Sequence, residues 1–433
     1  MKKRILAMLM LLCLLAACVP TPEEDYIVNR AEEQLPSETD GLAEKTVPIS
    51  VPDHATLNVD PTEHVTVVVD AEVNFNAESA HPILEVEALN ITQDEETLNA
   101  LLELIAPGAA MYEGWPDTKE EIAELLQSAM RYDGQLGSLV LPKDEMITLL
   151  EMQYNAAPEA IDKTPADKPE AGKSYRMERS DGVISVLTVS TEPNGFFYQR
   201  DRRDACFADD VLMPDDPIVL TDPEISETDA RRKAEEFLKS LGVECDCFVG
   251  TKRGFSIRNY ELHEMLWEFE FVRSVNGTPS IRRPNSFMTD SNMPSSIGAP
   301  WFVENAWVYV GKDGVVSANF DGLSRVKRVA VKDVQLCDFN KALDTGVRQI
   351  GYLHDGAMDK SHHTYMVTNI DLCYGLQAEE DNLSVGVYQP MWEFTYADAE
   401  ELDEQPNKIY ISAITGGYVE PRVTVQALMK RAE

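Results

Sequence analysis

LWEFEFV, residues 266–272, alternates large apolar side chains with glutamates and decides the fold that we predict for this 433-residue chain. A period of two is typical of a strand with one buried face. The pattern returns at MWEFTY, residues 391–396, and each stretch precedes a short run with tyrosine between β-branched residues, Val308-Tyr309-Val310 and Ile409-Tyr410-Ile411. The shared order predicts a duplicated structural unit.

Each aromatic stretch follows a segment with helical spacing. Ser226 to Asp229 form a capping-box pattern, apolar residues recur up to Leu241, and Gly242 stands where a helix C-terminus favours glycine. Asp338 to Ile350 forms a weaker helical pattern before the second stretch. We therefore predict an α+β fold with helices packed on antiparallel sheets, and tandem helix-plus-sheet modules in the C-terminal half.

The N-terminal half combines strands, which we predict at His64–Phe75 and Ile83–Ile91, with helices that begin near Thr92, Asp117 and Pro142. Residues from Val19 to about Ser50 are rich in Pro, Glu, Asp, Thr and Ser, a composition that favours disorder. The predicted organisation is a signal peptide at 1–17, a disordered lipid tether at 18–50, an N-terminal α+β domain at 51–205, a first module at 206–330 and a second at 331–433.

The N-terminus has the three parts of a bacterial secretory signal. Lys2, Lys3 and Arg4 precede the apolar run Ile5–Leu15, which is too short to span a bilayer as a mature helix. The run ends at Leu14-Leu15-Ala16-Ala17-Cys18, which resembles the lipobox of bacterial lipoproteins. The resemblance implies a diacylglyceryl group on Cys18 and an extracytoplasmic, lipid-anchored protein at the cell membrane. An ordinary signal with a chance cysteine is the alternative.

The chain is strongly acidic, with a formal charge of −37 that becomes −40 when Lys2, Lys3 and Arg4 leave with the signal. Such a field repels nucleic-acid phosphates and anionic lipid headgroups, so we expect no nucleic-acid partner. Membrane attachment must then come from acyl chains, such as palmitate, rather than from a basic surface.

A family resemblance covers roughly residues 221–425. The helix from Ser226, the aromatic strand that ends at Asn276-Gly277-Thr278-Pro279 and the strand pair around Asp313-Gly314 resemble PepSY-like modules of Gram-positive exported proteins. The arrangement is similar to that of the YycH/YycI proteins, extracytoplasmic regulators that bind a membrane sensor kinase. Those regulators keep a transmembrane helix at the position where this chain has a lipobox-like sequence. In having a lipobox, this chain also resembles lipoproteins of clostridial bacteria.

Catalytic motifs are missing from the sequence, which contains neither G-x-S-x-G nor H-E-x-x-H. The densest set of metal-ligand residue types is His354, Asp355, Asp359, His362 and His363, which we interpret as a solvated loop rather than a zinc site.

Cys245 and Cys247 have no matching Cys or His pair with the spacing of a zinc site. We expect no cofactor and no metal, and interpret as reduced thiols the five cysteines after Cys18, namely Cys206, Cys245, Cys247, Cys337 and Cys373.

Together these features favour a non-enzymatic, lipid-anchored protein that binds or regulates another envelope protein or a peptide. The alternative is an enzyme or ligand-binding lipoprotein that acts on cell-wall or polymeric material. In that case tryptophans would line a cleft, drawn from Trp115, Trp267, Trp301, Trp307 and Trp392. Most of these lie in strand-like runs, which favours core positions, with Trp267 and Trp392 equivalent in the two modules.

Replacing Cys18 by serine is expected to leave an unlipidated or uncleaved precursor, because only the thiol forms the thioether with the lipid. Membrane fractionation after labelling with palmitate measures the outcome. A Cys18→Ser protein that still incorporates label would show that Cys18 is not the attachment site.

Overall fold

The computed structural model describes residues 48–114, 117–161, 163–191, 194–212, 216, 218–281, 304–355, 361–379, 382–400, 402 and 406–419. This part of the chain forms two compact units. Unit 1 contains the residues up to Glu78 together with Asp333–Cys373 and Pro390–Pro421. Unit 2 contains Ser79–Lys332 and Tyr374–Gln389.

The described helices and strands confirm the α+β class. The helices are α1 (Glu95–Ile105), α2 (Lys119–Arg131), α3 (Lys143–Ala156), α4 (Glu227–Leu241) and α5 (Phe339–Asp355). The strands are β1 (His54–Val59), β2 (Val65–Asn74), β3 (Ile83–Ala88), β4 (Ala110–Glu113), β5 (Ser174–Glu178), β6 (Ile184–Thr191), β7 (Asn194–Gln199), β8 (Asp204–Ala208), β9 (Cys247–Arg258), β10 (Glu261–Val272), β11 (Ser274–Val275), β12 (Thr278–Pro279), β13 (Asn305–Gly311), β14 (Gly314–Asp321), β15 (Ser324–Val331), β16 (His363–Glu379), β17 (Asn382–Asp398), β18 (Asn407–Ser412) and β19 (Tyr418–Val419).

Unit 2 is built around an antiparallel nine-stranded sheet in the order β4-β5-β6-β7-β14-β13-β10-β9-β8. Helices α1 and α4 pack together, and α4 also contacts β10, β13 and β14. The main core lies between these layers and includes Leu98, Phe237, Phe269 and Phe320, all buried. Helices α2 and α3 form a second, smaller core with residues of β8 and β9.

Helix α4 begins and ends where its sequence predicts. The Ser226 hydroxyl accepts from the Asp229 N–H, and Gly242 adopts a φ of +68° at the C-terminus. Its apolar stripe is buried throughout. Helix α1 differs from prediction by two residues, because Asp94 rather than Thr92 caps it by accepting from the Thr97 N–H.

In unit 1, a sheet contains β1, β2, β18, β19 and the unit's parts of β16 and β17. Strand β2 pairs in parallel with β16, whereas β1 with β2 and β17 with β18 are antiparallel. Helix α5 covers this sheet: the Phe339 ring meets the Trp392 ring edge-on at 5.1 Å. A Cβ on Gly346 would lie 2.9 Å from ring carbons of Phe394, so this close approach requires glycine.

The two aromatic stretches have the same cross-strand register. Each tryptophan lies opposite a β-branched residue, each following glutamate opposite a tyrosine, and each phenylalanine opposite another β-branched residue. The pairs are Trp267–Val310, Glu268–Tyr309 and Phe269–Val308 in unit 2, and Trp392–Ile411, Glu393–Tyr410 and Phe394–Ile409 in unit 1. Both glutamates are 7% exposed. This repeated register supports the predicted duplication.

The two tryptophans are not buried to the same degree. Trp392 is fully buried, as expected for a core position. Trp267 is half-buried, and its indole N–H donates to the C=O of Ile225 at 2.9 Å. Trp267 therefore lies at the edge of the core of unit 2, whereas Trp392 lies in the interior of the core of unit 1.

The domain boundaries differ from the predicted ones. A boundary near residue 205 is ruled out within unit 2, because β7 pairs with β14 and β8 pairs with β9 across it. Residues 51–78 do not belong with the N-terminal domain, since β2 pairs with β16 in unit 1. The boundary predicted at 330/331 lies close to the observed change of unit at Asp333.

A buried ion pair lies in unit 2 beside the main core. Arg273 is 2% exposed and Glu304 is 1% exposed, and the Arg273 Nε donates to Glu304 Oε2 at 2.7 Å. The guanidinium also donates to the C=O of Ser324 at 2.6 Å and to Glu244. The Tyr388 hydroxyl donates to Glu304 at 3.2 Å. The cluster thus connects the end of α4 with β10, β13, β15 and β17.

Arg273→Met is expected to lower the free energy of unfolding of unit 2 by about 3–5 kcal/mol, because it leaves Glu304 buried without its cation. Denaturant unfolding followed by tryptophan fluorescence measures the loss. Arg232→Met is the matched control, since its exposed pair with Glu236 should contribute about 0–1 kcal/mol. Equal losses in the two variants would contradict a structural role for the buried pair.

Candidate functional site

Strand β1 is the end of the sheet in unit 1, and its outer side has no strand partner among the described residues. It pairs with β2 through all six of its residues, from His54 opposite Glu72 to Val59 opposite Val67, without a bulge. A regular, unpaired edge of this kind presents a row of backbone donors and acceptors to another strand.

The phase of the β1–β2 ladder determines which peptide groups point outward. The Val73 N–H donates to the C=O of Asp53 at 3.0 Å, just before β1 begins. Hydrogen-bonded and non-hydrogen-bonded pairs alternate along an antiparallel ladder. Since the register is unbroken, the peptide groups directed away from β2 are those of His54, Thr56 and Asn58.

The side chains of β1 separate into two rows. Ala55, Leu57 and Val59 lie on the face that buries the valines of β2, whereas the solvent face carries His54, Thr56 and Asn58. Leu57 is 39% exposed although the residue opposite it, Val69, is 1% exposed. The apolar row therefore reaches the open edge of the sheet.

The solvent face of the same two strands is acidic. Asp70 lies opposite Thr56, and Glu72 lies opposite His54. Both carboxylates are on the exposed surface, and His54 Nε2 lies 2.7 Å from Asp70 Oδ1. The edge thus combines backbone groups that have no strand partner among the described residues, an apolar row and a negative face.

Edge strand β15, in unit 2, has charged side chains and irregular pairing, which protect a sheet edge and which β1 lacks. Its side chains include Arg325, Lys327 and Arg328, and its pairing with β3 is interrupted by two register shifts. Charged residues and bulges are the common means by which proteins prevent unwanted pairing at a sheet edge. β1 has no lysine, arginine, proline or bulge.

The other described edge strands are also protected. Residues 164–166 cover β4 with backbone hydrogen bonds to Glu113 and Met111. β8 carries the inward-facing Asp204, bound by Arg258 at 2.6 Å, and β19 is only two residues long. Among the edges that the structure describes, β1 is therefore the one best suited to accept a further strand.

Strand β1 was not predicted from the sequence, in which the first strand was expected to begin at His64. A usable signal was present: HATLNV, residues 54–59, contains β-branched Thr56 and Val59 and is flanked by Pro52 and Pro61. Proline on both sides of a short extended run is typical of a bounded strand.

The predicted lipid-attachment residue, Cys18, lies outside the described residues, and so do Trp115, Trp301 and Asp359. In the described ranges, no helix combines the length and apolar composition needed to cross a bilayer. The anchor at Cys18 stays a prediction.

The three histidines of this segment make side-chain contacts. His354 ends α5, stacks on the Tyr365 ring at 4.0 Å and lies with Nε2 3.1 Å from the Tyr396 hydroxyl. His363 Nδ1 lies 3.2 Å from Asp398, and His362 Nε2 lies 2.9 Å from the Thr66 hydroxyl.

A metal centre is not formed by these histidines. No group of three or more His, Cys, Asp or Glu side chains in the described part of the chain could hold a metal ion. Each of the three histidines instead contacts protein side chains.

The cysteines after Cys18 are not linked by disulfides in the structure. Cys245 is buried and its thiol donates to the C=O of Phe271 at 3.2 Å, while Cys373 is buried in unit 1. Burial raises the pKa of both thiols, which keeps them protonated and unreactive.

No family model matches the chain, and no curated protein matches it. Among solved structures, the chain is similar to an uncharacterized protein from Eubacterium rectale, with a TM-score of 0.41 and 13% sequence identity. The superposition covers 85% of this chain and 94% of that chain.

His354 is expected to make unit 1 less stable in mild acid. Burial lowers the pKa of His354, an effect that the nearby charge of Asp398 opposes and His363 reinforces. The unfolded chain then binds the proton more readily, so stability is fully present above the ordinary histidine pKa of about 6.5 and falls as the pH drops through the lowered value.

His354→Phe keeps a ring on Tyr365 but removes the titrating group. Melting temperatures of both proteins between pH 7.5 and 5 test the expectation: the wild type should lose more stability than the variant. Parallel curves would show that protonation of His354 does not destabilise the unit.

Proposed function

We propose that this protein is a lipid-anchored, extracytoplasmic binding protein that recognises another polypeptide by adding one of its strands to β1. Strand addition uses main-chain hydrogen bonds for affinity and alternate side-chain positions for specificity. The observation that carries the proposal is the unprotected edge of β1, with the peptide groups of His54, Thr56 and Asn58 directed outward.

The contrast between edges supports this choice. A strand with an open edge risks aggregation unless its exposure serves a purpose. The other described edges are short, covered or charged, whereas β1 offers six residues in regular register. Among the described edges, β1 therefore combines a regular register with a lack of charged, covering or bulged residues.

The position of β1 in the chain fits a membrane-anchored binder. β1 begins at His54, and Cys18, the proposed attachment residue, precedes it by a segment rich in proline and acidic residues. Such a segment acts as a flexible or extended tether. The docking edge would then be the first strand after the lipid anchor that the structure describes.

Photo-crosslinking in the native cell envelope tests the proposal. A benzophenone amino acid at position 56 should form a discrete adduct with another polypeptide, and the same residue at Val329 on β15 should not. Adding Asn58→Pro to the first protein removes an outward N–H and should abolish the adduct without releasing the protein from the membrane. Adducts at both positions, or at neither, would contradict docking at β1.

A further inference from the structure

We propose that the segment bound by β1 is basic, with lysine or arginine alternating with β-branched apolar residues. This inference rests on the proposed function and adds the chemistry of the partner. It follows from three properties of the edge: the direction of its peptide groups, the open flank of Leu57 and the charge of its solvent face.

The pleat of the sheet fixes which partner residues are apolar. A strand added to β1 continues the two rows of side chains, because successive residues point to opposite faces. Its residues on the core side lie beside Leu57, which is 39% exposed, and would cover that flank. Valine or isoleucine suits these positions, since β-branched residues pack well on a pleated surface.

The remaining residues of the added strand face the acidic side of the sheet. Residues 48–78 contain six carboxylates and no lysine or arginine, namely Asp53, Asp60, Glu63, Asp70, Glu72 and Glu78. Asp70 and Glu72 share the solvent face with the outer row of β1. Alternate positions of the partner strand therefore meet a surface that carries the carboxylates of Asp70 and Glu72 and no lysine or arginine from residues 48–78.

The added strand lies close enough to β2 for its basic side chains to be attracted to the carboxylates of that strand. Neighbouring strands lie about 4.8 Å apart, so an added strand runs about 10 Å from β2, which is about one Debye length at roughly 0.1 M salt. Long basic side chains reach across Thr56 and Asn58 toward Asp70 and Glu72. The charge of the whole chain, −37, adds long-range steering of a cationic partner.

A second copy of this chain fits the same edge poorly. Pairing β1 with another β1 would bring two acidic faces together and join two proteins that each carry −37. Like charges across a sheet destabilise the pairing. The observations therefore favour a basic segment of a different polypeptide.

Short peptides matched to the length of β1 test the inference with the full-length chain. The probe is acetyl-Lys-Val-Lys-Val-Lys-Val-amide. Its controls are the Glu-Val peptide of the same pattern and a Lys-Lys-Lys-Val-Val-Val peptide of the same composition. Fluorescence anisotropy should show binding of the alternating basic peptide at about 50 mM salt, weaker binding at about 500 mM, and weaker binding still of both controls.

Variants of the edge locate the binding. Thr56→Pro removes an outward N–H without breaking the β1–β2 ladder and should weaken binding at least tenfold, whereas Thr56→Val should retain it. Asp70→Asn with Glu72→Gln should weaken binding about three- to tenfold and flatten the salt dependence. Melting curves confirm that each variant is folded, and a misfolded Thr56→Pro would be replaced by Asn58→Pro.

Amide hydrogen exchange separates the possible occupants. The amides of Thr56 and Asn58 should exchange rapidly in the chain alone and become protected when the basic peptide binds. Protection without peptide would mean that residues 18–47 or a second copy already cover the edge, and would overturn the inference. Equal binding of the Lys-Val and Glu-Val peptides would refute the basic preference, while an adduct at position 56 would still support docking at β1.

Discussion

The buried contact between Arg273 and Glu304 is the constraint on which unit 2 depends. A guanidinium that is 2% exposed cannot keep its charge in the core without a carboxylate and further acceptors. Those acceptors come from Glu244, Glu304 and Ser324, which follow α4, precede β13 and begin β15. Few arrangements of these elements satisfy every group at once, so the ion pair selects among the packings that the apolar core alone would allow.

Local patterns predicted the elements that depend on neighbours in sequence. Helix α4 carries its own start and stop signals at Ser226 and Gly242, and the LWEFEFV stretch shows its buried face by alternation alone. The α+β class follows from these elements. The repeated register of Glu268 with Tyr309 and of Glu393 with Tyr410 agrees with the order of motifs along the chain.

Features that depend on distant residues could not be predicted in this way. Nothing in the residues around Arg273 indicates that Glu304 will meet it, and the parallel pairing of β2 with β16 joins segments almost 300 residues apart. The same limit explains the misplaced boundary near residue 205, because β7 finds its partner in β14 beyond another helix and several strands. β1 escaped prediction for a different reason: an edge strand needs little apolar patterning, so only the β-branched residues and the flanking prolines of HATLNV indicate a strand.

The parallel pairing of β2 with β16 also has a consequence for biogenesis. His362 and Thr66, which are in contact, are separated by 296 residues, so unit 1 cannot form until most of the chain has left the ribosome. Unit 2, whose segments largely lie between those of unit 1, can condense earlier. During that interval β1 and β2 are extended, apolar on one side and without their final partner, at the stage when nascent strands are most prone to aggregate. The acidic residues throughout 48–78 would keep the waiting segment soluble, which gives the charge of this region a role during folding as well as in the folded protein.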